Sequence, residues 1–235
     1  MSHERAAKSL GIAHETLQLE CGGAKKWRAR TELDWTRVEE AALDHYRSDG
    51  WRGYSGEGGL VLNLIKAAAF PNLPERHRAT YTEALFSGNV AAHLQFKFTL
   101  GDLLGCIELA DLDQIVRVFR AMSAPRSSSG LDTSMLDFFP HLREWHFLEL
   151  FEHLGRGRLR DIAEVFGRDP YEYRKGWPDL TLWRDGEVMF KEVKAPGDQL
   201  HASQRKTIRD VLIPLGYSVS IVDVVHASPD ATTAM

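Results

Sequence analysis

The pair Asp185-Gly186 constrains this chain more than any other feature. It lies between Leu180-Thr-Leu-Trp183 and Glu187-Val-Met-Phe190-Lys-Glu-Val-Lys194, two runs that read as strands. A two-residue type I′ turn needs positive φ at both central positions, and Asp-Gly supplies it. A turn closing there fixes the register: Arg184 pairs with Glu187, Trp183 with Val188, and Asp179 falls opposite Glu192. Directly opposed residues have Cβ atoms about 5 Å apart, and like charges so placed repel. Glu192 and Lys194 are two positions apart, so they share one strand face while Val193 points to the other.

Downstream, Ala195-Pro-Gly-Asp198 stops the strand with turn chemistry. The apolar stripe Ile208, Val211, Leu212 and Leu215 predicts a helix over Ser203 to Leu215, with Gly216 as its terminator. Tyr217 to Val225 is rich in β-branched residues and reads as a buried strand. Strand, hairpin, strand, helix, strand is the order expected of a restriction-endonuclease-like α/β core.

Two opposed carboxylates are retained when a cation sits between them. Asp179, Glu192 and the carbonyl oxygen of Val193 make a hard-oxygen set suited to Mg²⁺ or Mn²⁺. Such an ion lowers the pKa of a bound water, clamps a phosphate and offsets charge on a leaving oxygen. Lys194 is placed to orient the attacking water or to stabilise developing negative charge. On these residues alone, a surface hairpin with solvated charges satisfies the same pattern.

Gly176-x-Pro-Asp179-Leu, then Lys191-Glu-Val-Lys194-x-Pro-x-Asp198-x-Leu200 and Gln204, resembles the VRR-NUC (virus-type replication-repair nuclease) domain. Upstream, Val38-Glu-Glu-x-Ala-Leu-x-His45-Tyr46-x-x-x-Gly50-Trp51, followed by Ser55-Gly-Glu57-Gly58, resembles the nuclease part of the Fanconi-associated nucleases. The resemblance covers roughly residues 35 to 225. It implies that Glu57 is a third metal-ligating carboxylate beside Asp179 and Glu192; by its residues alone, Glu57 reads equally as an acid favoured at a helix start. It also implies that Asp198 and Gln204 neighbour the active site or the DNA. Ala195 stands where the family usually has glycine, and His201 where serine is common.

At 235 residues, 43% hydrophobic and 26% charged, the chain is globular and long enough for a sizeable core. No apolar run approaches the ~20 residues of a membrane span, and Met1 to Leu19 is polar and mixed in charge, unlike a secretory signal. Cys21 and Cys106 offer neither zinc spacing nor a disulfide framework, which implies a reducing, cytoplasmic setting (at the nucleoid in a bacterium or phage). A net charge of −4 argues against unselective DNA coating and fits a structure-selective enzyme. Basic residues bunch at Lys25 to Arg30, Arg156 to Arg160 and Arg174-Lys175. Each bunch reads either as solvated surface or as phosphate contact, and Arg174-Lys175 is the favoured DNA contact because it adjoins the motif.

Between Glu57 and the hairpin the pattern is mainly helical, with apolar spacing of three and four over Tyr81–Ala92, Leu100–Leu109, Leu112–Met122 and Leu142–Leu154. Ser123 to Gly130 reads as a flexible break. The expected organisation is an N-terminal arm (1–34), a nuclease domain (35–226) with a large, mainly helical insertion at about 60–165 and a catalytic core at about 166–226, and a tail (227–235). The function expected is that of a Mg²⁺/Mn²⁺-dependent DNA nuclease, monomeric, acting at flaps or other branched DNA in replication or repair. The alternatives are a dimeric Holliday-junction resolvase, a non-catalytic DNA-binding module with this fold, and an RNA-directed or toxin-like nuclease.

Overall fold

Asp185 and Gly186 take φ values of 50° and 82° in the computed structural model, and the hairpin closes in the expected register. Arg184 faces Glu187, Trp183 faces Val188, and the ladder ends with Leu180 opposite Lys191. One further step sets Asp179 opposite Glu192. The structure describes residues 2–23, 25–29, 32–87, 98–125 and 133–227. Arg30, the end of the Tyr81–Ala92 helix, most of the Ser123–Gly130 break and the tail beyond Ala227 lie outside these residues.

The hairpin belongs to a mixed six-stranded sheet. Its strands are β1 (Ala13–Gly23), β2 (Lys26–Arg28), β3 (Arg52–Ser55), β4 (Leu180–Arg184), β5 (Glu187–Lys194) and β6 (Ser218–His226), in the spatial order β2-β1-β6-β5-β4-β3. β6 runs parallel to both β5 and β1, and the other pairs are antiparallel. A parallel neighbour requires a crossover. Between β5 and β6 it is an α-helix over Ala202–Thr207 that continues into a π-helical turn over Ile208–Leu212, where the Ile213 N–H reaches the Ile208 carbonyl at 3.0 Å. The expected helix over Ser203 to Leu215 is therefore one element with two hydrogen-bond periods, ended by Gly216 at φ 75°.

Residues 2–23 and 25–29 are built into the fold and do not form the arm expected over 1–34. Ser2 caps α1 (His3–Leu10), and β1 is the longest strand of the sheet, paired with β6 from Ala13↔Ser220 to Leu19↔His226. Leu17 and Leu19 alternate into the core, and the carboxylate of Asp223 accepts from His3 Nδ1 (2.5 Å) and His14 Nε2 (2.8 Å), tying the segment down.

Helices cover both faces of the sheet. On one face α2 (Val38–Ser48) sets Ala41 and Ala42 against Leu180, Leu182, Val193, Val222 and Val224. On the other, α3 (Gly59–Ala69), α4 (Thr82–Phe86), α5 (Leu100–Leu109), α6 (Leu112–Ser123), α7 (Met135–Phe138) and α8 (Glu144–Arg168) build the larger core against Trp183, Val188 and Phe190. Local chemistry starts these helices where it should. Thr99 and Asp102 form a reciprocal capping box at α5, and Asp111 accepts the Gln114 N–H at 2.7 Å at the head of α6. The helix expected to end at Leu154 breaks there, at Gly155 (φ 67°, ψ 169°), and then resumes to Arg168.

α3 carries a buried ammonium. Lys66, 1% exposed, donates to the carbonyls of Arg78 (2.7 Å) and Thr80 (2.6 Å), pinning the segment before α4. Burial pushes its pKa down to about 7 against the opposing pull of Glu83. Above about pH 7 the unfolded chain holds a proton that folded Lys66 has released, so this group makes stability rise with pH until the unfolded lysine also titrates. Wild type is expected to gain on Lys66→Met by up to ~1.4 kcal/mol per pH unit between about pH 7 and 9 in urea unfolding. A difference flat with pH is the contrary result.

Candidate active site

Three tight backbone passages bring the candidate residues together. The first is Gly56-Glu57-Gly58 between β3 and α3, where Glu57 and Gly58 take φ of 41° and 79° and the Gly56 N–H donates to the Asp179 carbonyl at 3.0 Å. A Cβ on Gly58 would lie 2.4 Å from the ring of Trp177, so glycine lets this loop lie against the one that carries Asp179. The second is Gly176 (φ 77°), whose missing Cβ admits the backbone of Ser203 and Gln204. The third is the turn after β5, where Asp198 accepts the Ala195 N–H at 3.0 Å. Trp177, 1% exposed, anchors the assembly through its indole N–H to the Tyr173 carbonyl at 2.7 Å.

Asp179 is 9% exposed, and one of its oxygens accepts the Val193 N–H at 2.8 Å. Glu192 is wholly buried. Its Oε1 lies 2.6 Å from Lys194 Nζ and accepts from Gln204 Nε2 at 2.5 Å, and its carboxyl also neighbours that of Asp179. Val193 turns its side chain into the opposite core. Gln204 also accepts the His201 N–H at 2.8 Å, so one amide side chain joins the helix start to the Glu192–Lys194 pair.

The electrostatics follow from burial. Asp179 is pushed up to about 6, first by desolvation and further by the charges of Glu39 and Glu57, against the Val193 N–H and Lys194. Glu192 is raised well above the ordinary glutamate range, first by desolvation and then by Asp179. Among the described residues no three His, Cys, Asp or Glu side chains form a ready-made metal cage. The donors nevertheless suit a hard divalent ion: two adjacent buried carboxylates, Asp179 and Glu192, each disfavouring the other's ionisation, which a bound cation would relieve.

Asp179 and Glu57 line a cleft of about 510 Å³ with Arg37, Glu39, Tyr54 and His141. Two hollows adjoin it. One, of about 380 Å³, shares Glu57 and Phe139 and adds Arg174 and Lys175. The other, of about 450 Å³, shares Arg37 and Glu39 and adds Lys25 and Asp198. The acids therefore sit in the middle of a trough with basic residues towards both ends. Arg174 also pairs with Glu83 at 3.3 Å. The Arg156–Arg160 cluster is engaged within the fold: Arg156 bonds the Ala110 carbonyl, Arg158 lies over the Tyr217 ring, and Arg160 meets Glu108 at 2.6 Å.

Glu39 was not singled out in the sequence, although it stands in the Val38-Glu-Glu run. Its signal is weak because an acid in the first turn of α2 has an ordinary explanation in the helix dipole. Only the fold carries it into the cleft.

Residues 128–226 match the VRR-NUC domain family model. The Fanconi-associated nuclease 1 homolog of Schizosaccharomyces pombe is 26% identical over 194 residues, which is 76% of this chain and 26% of that protein. The crystal structure of paFAN1 bound to 2nt 5′flap DNA with gap superposes with a TM-score of 0.63 at 19% identity, covering 96% of this chain and 42% of that one. The paFAN1 complex with 1nt 5′flap DNA with gap gives 0.61, with the same identity and coverage. The chain thus spans about a quarter of the curated relative's length and under half of each structural one. Its fold is α/β with a restriction-endonuclease-like core, and no helix among the described residues is long and apolar enough to cross a membrane.

Proposed function

We propose that this chain, whose residues 128–226 match the VRR-NUC domain family model, is a structure-selective nuclease that cuts DNA at flaps or other branches as a monomer. The observation that carries this reading is Asp179 at the wall of an acid-lined cleft with basic residues in the adjoining hollows, backed by the buried Glu192–Lys194 pair on the neighbouring strand. Mg²⁺ or Mn²⁺ would be held by Asp179, Glu192 and Glu57 with the Val193 carbonyl, and would supply an acidified water and neutralisation of phosphate charge. The protein's own groups do the rest. Val193 N–H fixes one oxygen of Asp179 and leaves the other for binding. Gln204 holds the Glu192 carboxylate, and the Lys194 ammonium beside it orients the attacking water or stabilises charge on the phosphate. Arg174 and Lys175 at one end bind DNA backbone, with Asp198 and Gln204 as neighbours of the path. The relatives named for 5′-flap DNA support the branched-DNA substrate, and the helical layer over one sheet face supports a monomer.

The test is cleavage of end-labelled 5′-flap, 3′-flap, four-way-junction and duplex DNA with Mn²⁺, Mg²⁺ or EDTA, alongside size-exclusion chromatography. Cutting of one flap class is expected with metal only, with Glu57→Gln slower by about 10²–10³-fold, the scale of losing one preorganised electrostatic partner. Symmetric junction cutting by a dimer would make the protein a resolvase. Metal-indifferent DNA binding without cutting would make it a binding module.

A further inference from the structure

Two exposed rings stand beside the acid-lined cleft with no role in the chemistry above. Tyr81 is 50% exposed and Phe138 45% exposed, and their centroids are 5.2 Å apart at 56°. Scattered apolar residues on a surface need no explanation, but two large rings in mutual contact and both half in water are a patch. Their position is specific. Phe138 lines the cleft that holds Asp179 and Glu57, and Tyr81 lines the adjoining hollow that holds Glu57, Arg174 and Lys175. The pair therefore stands on the rim shared by the acid cleft and its basic neighbour.

The rim is also held in place. Phe139, next in the chain, packs so closely on Gly59 that a Cβ there would fall 2.5 Å from its ring. Its N–H donates to the Met135 carbonyl and its own carbonyl accepts from Leu142, each at 3.0 Å. Tyr81 stands directly before α4, behind the segment pinned by Lys66. Both rings thus rest on elements fixed relative to Glu57.

We propose that Tyr81 and Phe138 form a stacking platform for an unpaired nucleobase of the DNA whose phosphodiester enters the acid cleft. The proposal rests on the nuclease reading above and adds the single-stranded feature that the site recognises. Aromatic faces beside basic residues are how single strands are held without reading sequence, because every base has a π-face. The rings take the base while Arg174 and Lys175 take the adjacent backbone, so a nucleotide freed from its duplex fits this rim better than a paired one.

The test uses 5′-flap DNA carrying 2-aminopurine at the unpaired nucleotide next to the junction, titrated with the protein in EDTA so that binding is read apart from cleavage. Wild type is expected to quench the fluorescence. Tyr81→Ala/Phe138→Ala is expected to lose the quenching and about ten-fold or more in flap affinity, the range set by losing a base–aromatic stack. Its affinity for plain duplex should not change. Tyr81→Phe/Phe138→Tyr keeps both rings and should behave as wild type, and unchanged melting temperatures certify folding. Wild type that leaves 2-aminopurine bright, a double-alanine variant that still quenches, or equal loss of flap and duplex binding would each overturn the proposal. Separate cleavage assays in Mn²⁺ keep the two readings distinct. Quenching without cutting removes the nuclease and leaves the platform, whereas cutting indifferent to both rings removes the platform alone.

Discussion

Asp179→Asn is expected to abolish metal-dependent cleavage, by on the order of 10³-fold or more, while making the metal-free protein more stable at neutral pH. Asparagine keeps an oxygen for the Val193 N–H, so the hydrogen bond at 2.8 Å survives, but it removes a charge that burial disfavours. Because burial raises the carboxyl from 3.8 to about 6, the folded chain holds a proton that the unfolded chain has lost between those values. Stability contributed by this group is present below the unfolded pKa and falls as pH rises through the folded one. The variant escapes that loss, an advantage of about 1–3 kcal/mol at about pH 8, or several degrees in melting temperature for a domain of this size. Thermal unfolding in EDTA at about pH 8 and pH 4 checks it. The gap should shrink at the lower pH, and added Mn²⁺ should raise the wild-type midpoint but not the variant's. A variant less stable than wild type at both pH values would contradict the account of the buried pair.

Gly176→Ala is expected to cost the most stability of any change around the site. The residue has φ 77°, and a Cβ would lie 2.2 Å from the carbonyl carbon and oxygen of Ser203 and 2.6 Å from the Gln204 nitrogen. These are backbone atoms at the start of the crossover helix and cannot turn aside as a side chain can. A loss of about 3 kcal/mol or more follows from the clash added to left-handed strain. Gln204 would move with the helix, and since its amide holds Glu192, cleavage should fall as well. Gly186→Ala is the control: its φ is 82°, yet nothing lies within 4 Å of an added Cβ. It should cost only ~1–2 kcal/mol, the strain alone. Equal urea midpoints for the two variants would mean that the close approach of the loop and helix has no energetic weight.

The contrast between those glycines mirrors what was legible in the chain. The hairpin was readable because Asp185-Gly186 acts through local sterics, and the register that opposes Asp179 and Glu192 follows by counting. The faces of Glu192, Lys194 and Val193 were readable for the same reason. Glu57 and Glu39 were not, since no local rule links β3 or α2 to a strand so distant in sequence; Glu57 entered only through the family motif. The strand over Ala13–Gly23 is hidden in the sequence because charged and polar residues mask the alternation of Leu17, Leu19 and Cys21. That alternation gains meaning only once β6 lies beside it. Nor could spacing reveal how deeply Glu192 and Lys194 are buried, because their cover comes from the helix that carries Gln204.

The partnership of β1 with β6 has a consequence for how the molecule comes into being. Ala13 pairs with Ser220 and Leu19 with His226, so the longest strand finds its neighbour only after nearly all the intervening chain exists. Contacts of such sequence separation slow folding and leave strand edges open meanwhile. During vectorial synthesis, β1 and β5 would each wait with an unpaired edge until β6 arrives between them. A nascent or truncated chain lacking Ser218–His226 would therefore expose two sticky borders, and Glu192 on β5 would lack its neighbour Ile221 until the last strand is in place.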